Sequence, residues 1–405
     1  MQGYAMDRQP FKGHRSKLMA KLPKQTTVVI GTNNVHARNH DVHFPFYPDS
    51  DFWYLTGIDQ PGYVLVIQSP NHSILFCPPE DKLKMLWEGD YPLAKDAQDL
   101  GFDEGRCIDD LPSFIKNIPT STALLSTGVQ AKKLTAMSLS TKQWQPLEQY
   151  LHPLRLIKSD WEQQQLKQAA QISCQAHKAI MRTRAQTSQE IDALFSYQVH
   201  RQGHKTLAYP SIVGVDDQAC VLHYTKNQST INQDSLILID AGTTCCGYAA
   251  DITRTFPNVK FTENQQSVYL AVLWIQEQII KQCQVGQTWQ QLVDTHIKCT
   301  QEAIKQLGFG YDIRQLCPHS FGHMVGLNVH DVPCQPTDQL KPGMCFTVEP
   351  GLYFHPILLD MPKAFSGIGI RIEDMILIQA NGPEIITDQA PKSLEAILAC
   401  RQQAQ

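Results

Sequence analysis

Residues 236–257, LILIDAGTTCCGYAADITRTFP, read as two apolar strands joined by a short turn. Each carries one carboxylate where a strand tolerates it least. Asp240 ends the apolar run from Leu236, and Asp251 sits between Ala250 and Ile252. Asp is a poor strand former and is costly to bury without a partner charge. A hairpin centred on Cys245-Cys246 sets Asp240 directly opposite Asp251. Side chains so placed have Cβ atoms about 4.5–5.5 Å apart, and like charges there repel. A bound cation turns that repulsion into binding. The alternative, which these two residues leave open, is one turn Asp and one surface Asp.

Helix-start signals frame this hairpin. Ser159 with Glu162, Thr187 with Glu190, Thr262 with Gln265 and Thr288 with Gln291 each match the capping box, in which two side chains satisfy free backbone donors reciprocally. They predict helices from about 160 to 183, from 188 to near Gly203, from 263 to Gly286 and from 289 to Gly308. Strand-like runs separate the helix pairs: PSIVGV, ACVLHYT, SLILIDAG and YAADITRTF after the first, MCFTVEPGLYF and GIGIRIEDMILIQA after the second. Helix pair, strands, helix pair, strands is the order of a structural duplication. It predicts an α+β domain over 158–405, with helices on one face of a curved, largely antiparallel sheet. Residues 1–157 mix TTVVIG, GYVLVIQ, SILFCP and ALLSTG with helical stretches such as DLPSFIKNI, which predicts a separate α/β domain with a mixed sheet.

Further chemistry-bearing residues follow the hairpin. CPHSFGHMVGLNVHD, residues 317–331, holds His319, His323 and His330. Imidazole is an adaptable metal ligand and proton shuttle. Glu349 in FTVEPGLYF stands at a strand end before Pro350-Gly351. In GIGIRIEDMILI, period two puts Ile368, Ile370 and Ile372 on one face and Gly369, Arg371 and Glu373 on the other. An exposed polar face is the bland reading of that alternation. As a set, two Asp, two Glu and one His form an oxygen-rich group suited to Mn²⁺, Co²⁺ or Zn²⁺. Four carboxylates would neutralise two divalent ions. Such pairs lie about 3.5–4 Å apart and lower the pKa of bound water to about 7, which is hydrolase chemistry.

Bulk properties exclude other classes. With 405 residues, 42% hydrophobic and 18% charged, the chain has enough material for two cores. A net charge of −4 leaves no basic footprint for nucleic acid. No apolar run is long enough to span a bilayer, so no membrane partner is expected. The opening residues, MQGYAMDRQPFKGHRSKLMAKLPK, carry charge without an apolar segment, so no secretory signal is expected. The twelve cysteines show no paired spacing and are expected to be free thiols of a cytoplasmic protein; Cys245-Cys246 most simply occupies its turn.

With these residues in view, the sequence resembles the aminopeptidase P (Xaa-Pro aminopeptidase) group of the creatinase/methionine-aminopeptidase, or pita-bread, superfamily. DAG, GYAADITRTFP, PHSFGHMVGLNVHD, TVEPGLY and GIRIED stand in the family's order, and YPDSDFWYLTG matches its amino-terminal domain. The resemblance implies that Asp240, Asp251, His323, Glu349 and Glu373 hold two divalent ions per subunit, Mn²⁺ first, with Asp251 and Glu373 bridging. It implies a metal-bridging hydroxide as nucleophile and Glu349 as general base. His223, in VLHY, and His330 are implied to bind substrate and assist catalysis, and His319 and Arg371 to stand behind the ligands, with Arg371 countering the carboxylates. Tyr353, Trp87 in MLWEG, and Asp51 are implied substrate contacts, the last two from the amino-terminal domain and reaching an active site of the same or a neighbouring subunit. The implied reaction releases the first residue of a peptide whose second residue is proline, by a homo-oligomer, dimer or tetramer. Ala250 stands where relatives commonly have glycine. A prolidase, cleaving Xaa-Pro dipeptides with the same ligands, is the nearest rival. A metal-free, creatinase-like enzyme is disfavoured because all five ligands are present. A non-catalytic binding protein on the same fold is the alternative from another class.

Overall fold

The structure, a computed structural model, describes residues 8–119, 121–127, 144–358 and 361–404. It divides into two compact units, Met1–Arg155 and Leu156–Gln405. Among the described residues no helix is long and apolar enough to cross a membrane. The first seven residues of the charged opening, and the last residue of ALLSTG, lie outside the described residues.

In the first unit, Thr26–Gly31 is an inner strand of a six-stranded sheet. It pairs antiparallel with Val64–Gln68 and parallel with Ala123–Ser126. His72–Cys77 then pairs antiparallel with Val64–Gln68 and parallel with Glu104–Cys107, so the sheet is mixed. Asp51, on the helix Ser50–Thr56, is buried and ion-paired with Arg155 at 2.5 Å. Trp87, on the helix Lys82–Glu88, is 81% exposed.

The second unit alternates helices and antiparallel strands. Its long helices are Asp160–Met181, Ser188–His200, Glu263–Gln282 and Trp289–Gln306. Each starts where its capping pair stands; for example, Ser159 N donates to Glu162 Oε2 at 2.9 Å and Thr262 N to Gln265 Oε1 at 2.9 Å. The first helix pair packs Ile172, Ile180, Phe195 and Val199 on Val213, Ile237, Ile239 and Ile370. The second packs Leu292 and Ala303 on Phe346, Val348, Ile376 and Ile378. The helix Glu263–Gln282 joins both cores, with Val268 and Val272 in the first and Ile275 and Ile279 in the second.

Two expectations need correction. First, the hairpin register differs. Cys245 pairs with Tyr248, so Cys246 (φ 46°) and Gly247 (φ 79°) form the two-residue loop. That loop needs positive φ at both positions, which glycine meets freely and which moves the turn centre one residue on from Cys245-Cys246. Asp240 therefore lies opposite Thr253, not opposite Asp251. The shift is even, so both Asp side chains stay on one face as diagonal neighbours. Second, ACVLHYT is not a strand. Asp216–Cys220 forms a short 3₁₀ turn after Asp216 takes φ 53°. The Asp216 carboxylate accepts from Leu236 N and Ser235 Oγ, both at 2.8 Å, and this anchorage turns the chain away from the strand path. The bland reading of an exposed polar face does not hold: Arg371 and Glu373 are buried, as are Ile368, Ile370 and Ile372.

The strands of this unit are short because they break at the carboxylates. Leu236–Asp240 ends on Asp240, and Asp251 falls between Tyr248–Ala249 and Thr253–Pro257. Glu349 falls between Cys345–Val348 and Gly351–Tyr353, and Glu373 between Gly369–Arg371 and Asp374–Gln379. Each break frees a side chain from the strict alternation of a ladder and lets it turn into a common space.

Candidate active site

That space is a cavity of about 610 Å³. Asp240, Asp251, His323, Glu349 and Glu373 all line it, together with His223, His319, His330 and Arg371. Ligand atoms of Asp251, His323 and Glu373 lie within 4.8 Å of one another. His323 Nε2 stands 3.4 Å from Asp251 Oδ2 and 3.3 Å from Glu349 Oε1.

Backbone pairing sets His323 against Glu349. Thr347 N donates to His323 O and Glu349 N to Phe321 O, both at 2.8 Å. The close approach depends on Gly322, where an added Cβ would meet the Thr347 carbonyl oxygen at 1.9 Å. Thr347 Oγ1 then accepts from His323 N at 3.0 Å and donates to Glu349 Oε1 at 3.2 Å.

Arg371 organises the opposite wall. Its Nη2 donates to Asp240 Oδ2 at 2.7 Å, its Nη1 to the Tyr353 hydroxyl at 3.0 Å and its Nε to Thr253 Oγ1 at 3.0 Å. Thr253 Oγ1 in turn donates to Glu373 Oε2 at 2.7 Å. His319 Nε2 is 2.8 Å from the Tyr353 hydroxyl. Tyr353 is thus buried behind the wall and does not line the cavity; its hydroxyl is engaged by Arg371 and His319 rather than turned towards a substrate. Trp87 and Asp51 are likewise not among the lining residues. His223 and His330 are exposed at the cavity, and the His330 ring stands edge-on to His323 with centroids 4.2 Å apart.

Sequence reasoning missed Tyr209, whose hydroxyl lies 2.6 Å from Asp240 Oδ1 and 2.5 Å from Asp251 Oδ1. It precedes Pro210 in an irregular segment, and no spacing rule reaches it. It also missed Thr253, for which a signal existed: period two places Thr253 and Thr255 on the face of Asp251.

The electrostatics explain what such a cluster demands. Burial, and then the charges of Asp251, Glu349 and Asp240, push Glu373 well above the ordinary carboxylate range against the pull of Arg371. Burial pushes Glu349 up to about 7, with His323 and Arg371 opposing. Burial raises Asp240 too, while His323 holds Asp251 low despite its burial. Burial alone would depress His323, yet the Asp251 hydrogen bond and the charge of Glu349 lift it to about 9. Four carboxylates side by side, three of which ionise only reluctantly, with one imidazole and no sulfur in the set, fit hard divalent cations, which supply the missing positive charge.

A water-accessible cavity walled by carboxylates and imidazoles, set at the breaks of antiparallel strands, defines a metallohydrolase. Comparison with known proteins narrows the class. Residues 164–380 match metallopeptidase family M24, and residues 11–124 match the aminopeptidase P N-terminal domain. The chain is 33% identical to the Xaa-Pro aminopeptidase of Haemophilus influenzae, over 97% of each chain. It is 30% identical to the Xaa-Pro aminopeptidase of Escherichia coli, over 98% of this chain and 99% of that one. Its fold superposes on proline aminopeptidase P II from Yersinia pestis with a TM-score of 0.92 at 29% identity, covering 98% of this chain and 100% of the other. The chain belongs to metallopeptidase family M24, in the aminopeptidase P branch with its pita-bread catalytic fold.

This family uses divalent metal ions. In the metal-free protein burial lifts Glu349 to about 7 and Glu373 well above the ordinary carboxylate range, and His323 is lifted to about 9. Were the ions held by these three side chains, metal would displace their protons, and apparent affinity would rise with pH through neutrality and past pH 9. Titration calorimetry in buffers of different ionisation enthalpy should show proton release on metal binding that is larger at pH 6.5 than at pH 9. Equal, near-zero release at both would refute the scheme.

Proposed function

We propose that this protein is a metal-dependent Xaa-Pro aminopeptidase that releases the first residue of peptides whose second residue is proline. In this reading Asp240, Asp251, His323, Glu349 and Glu373 hold two divalent ions, Mn²⁺ in preference to Co²⁺ or Zn²⁺. The observation that carries it is the convergence of these five side chains, from five separate segments, on one cavity.

When bound, the ions make water acidic enough to ionise near neutral pH. The chain's own residues do the rest. Glu349 receives the proton of the attacking water on Oε2, because Oε1 already accepts from Thr347. Ile212, Leu222 and Val329 give the cavity an apolar stretch for the proline ring. A tertiary amide has no N–H, so no acceptor is needed at the scissile nitrogen before cleavage. His223 and His330 stand where they can steady the scissile carbonyl. In the metal-free site partial desolvation, and then the charge of His323, hold His330 below the ordinary imidazole value.

His330→Ala is accordingly expected to lower kcat by about 10²-fold with metal content unchanged, as for loss of one group that stabilises the transition state. Metal analysis beside kinetics checks this; loss of metal would make His330 a ligand instead.

We further place the protein in the cytoplasm as a homo-oligomer, dimer or tetramer. Its twelve cysteines are free, which suits a reducing compartment. Leu83, Leu86 and Trp87 project from one helix that buries no side chain, which suits association. The deciding experiment for function is a Mn²⁺-supplemented assay on Xaa-Pro, Xaa-Pro-Xaa and longer peptides. Release of the first residue from tripeptides and longer is expected. Cleavage of the dipeptide alone would establish a prolidase, and inactivity with no bound metal would favour a binding protein.

A further inference from the structure

Behind the cavity lies a second, largely buried polar cluster. Asp374, next to Glu373, accepts from Arg254 Nη2 at 2.6 Å, Thr387 Oγ1 at 2.7 Å, Lys392 Nζ at 2.6 Å and Gln276 Nε2 at 3.1 Å. Such a cluster is costly to desolvate and would be dispensable if the core needed only packing. One member does more than satisfy Asp374. Gln276 reaches in from the middle of the helix Glu263–Gln282, where its neighbours on the buried face are the apolar Val272, Ile275 and Ile279. Its amide nitrogen lies 3.1 Å from Val348 O and from Ile372 O as well as from Asp374 Oδ2, so its two N–H groups are shared among three acceptors. Val348 immediately precedes Glu349, and Ile372 immediately precedes Glu373. The two strand breaks that carry the two glutamates are therefore pinned to a single nitrogen. The amide is itself aimed: Lys392 Nζ donates to Gln276 Oε1 at 2.8 Å, which fixes which end of the amide faces the carbonyls. Arg254 Nη1 adds a bond to Glu373 O on the far side of the same residue.

We propose that Gln276 is a positioning residue: by holding the carbonyls before Glu349 and Glu373 on one amide nitrogen, it sets the spacing of the two glutamates that receive the divalent ion pair. The role rests on the ligand assignment made above and goes beyond it, because Gln276 touches neither the cavity nor any of the five ligand side chains. A single ion tolerates a loosely held glutamate, since its remaining ligands can follow it. A pair about 3.5–4 Å apart does not.

The test is Gln276→Met, which keeps volume and removes both donors. Manganese is titrated into metal-free wild type and variant, and the Mn²⁺ spin-resonance spectrum is recorded at one and two equivalents. In the variant the first ion is expected to bind as in wild type. The second is expected to bind about 10–100-fold more weakly, the usual consequence of losing a residue that orients ligands. At two equivalents the exchange-coupled signal of the pair should give way to that of isolated Mn²⁺. A variant that binds both ions with wild-type affinity and the coupled spectrum overturns the role, whatever its melting temperature. If Gln276→Met does not fold, Lys392→Met decides: its amine is partly exposed, and its loss leaves the Gln276 amide unaimed. A several-fold weakening of the second ion supports the role, and no change overturns it. Wild type that takes up no manganese pair overturns the ligand assignment itself, an outcome separable from failure of the variant.

Discussion

Glu373→Gln is expected to abolish Xaa-Pro hydrolysis and, in the same protein, to raise the stability of the metal-free form. Both effects follow from the same side chain. Glu373 is 1% exposed and faces Asp251, Glu349 and Asp240, which together with burial drive its proton affinity well above the ordinary carboxylate value. In the unfolded chain a Glu ionises near 4.3. A carboxyl whose folded-state pKa is raised contributes stability below the unfolded value and loses it as pH rises towards the folded value. Wild-type stability in EDTA should therefore fall between pH 5 and pH 8, and the neutral amide of the variant should escape that fall. The gain at pH 8 should be at least about 2 °C in Tm, the equivalent of roughly 1 kcal/mol for a unit of this size. Little difference is expected near pH 4.5. With the proposed ion pair bound the sign should reverse, because an amide is a poorer metal ligand than the carboxylate it replaces. Turnover should drop below about 10⁻³ of wild type, in line with loss of a group on which the catalytic unit depends. Full turnover by the variant would remove Glu373 from the metal site, and a lower metal-free Tm at pH 8 would contradict the repulsion argument. The trade of stability for a strained, charged site is general among enzymes.

How far the sequence disclosed this site depends on the kind of signal each residue carries. Helix starts were legible because a capping box is local: Ser159, Thr187, Thr262 and Thr288 each meet their partner within one turn, and no distant contact intervenes. The carboxylates were conspicuous because Asp240 and Asp251 violate strand propensity, and a local violation marks a position held for another purpose. Their relative placement was less legible. The turn is decided by which residues accept positive φ, and the adjacent Cys-Cys pair drew the centre one residue too early. His223 was picked out, but its element was misjudged: ACVLHYT has a strand's composition, and only the distant bonds from Asp216 to Leu236 and Ser235 bend it out of the sheet. Arg371 and Glu373 gave an ambiguous alternation, since period two does not distinguish a wet face from a buried charged one. Tyr209 and Gln276 were invisible. A tyrosine before proline and a glutamine on an amphipathic helix are commonplace in sequence, and their importance lies wholly in what the fold brings to them: two carboxylates in one case, two backbone carbonyls in the other.

Arg371→Met is expected to do the opposite of Glu373→Gln to the metal-free protein. Arg371 is the one Arg or Lys among the described residues that line the cavity, and its guanidinium is 2.7 Å from Asp240. Burial disfavours its charge, but Tyr353 and the surrounding carboxylates hold it firmly protonated. Removing one partner of a buried ion pair leaves the other charge uncompensated and costs about 3–5 kcal/mol. For a domain of this size that corresponds to roughly 10 °C in Tm. Methionine also ends the donation to Thr253 and Tyr353, so Glu373 and His319 each lose an indirect brace. The deficit should be largest in EDTA, where only the protonated His323 and the protons kept by Glu349 and Glu373 offset the carboxylates. Divalent ions bind only the folded form and add stability by mass action, about 2.7 kcal/mol at a hundredfold excess over Kd. They also supply at the cavity the positive charge that the substitution removed. Scanning calorimetry of both proteins, in EDTA and in saturating Mn²⁺, should therefore show a wide Tm gap without metal that narrows with it. A gap of equal width in both conditions would mean that Arg371 serves the core alone and that the charge balance of the cavity does not depend on it.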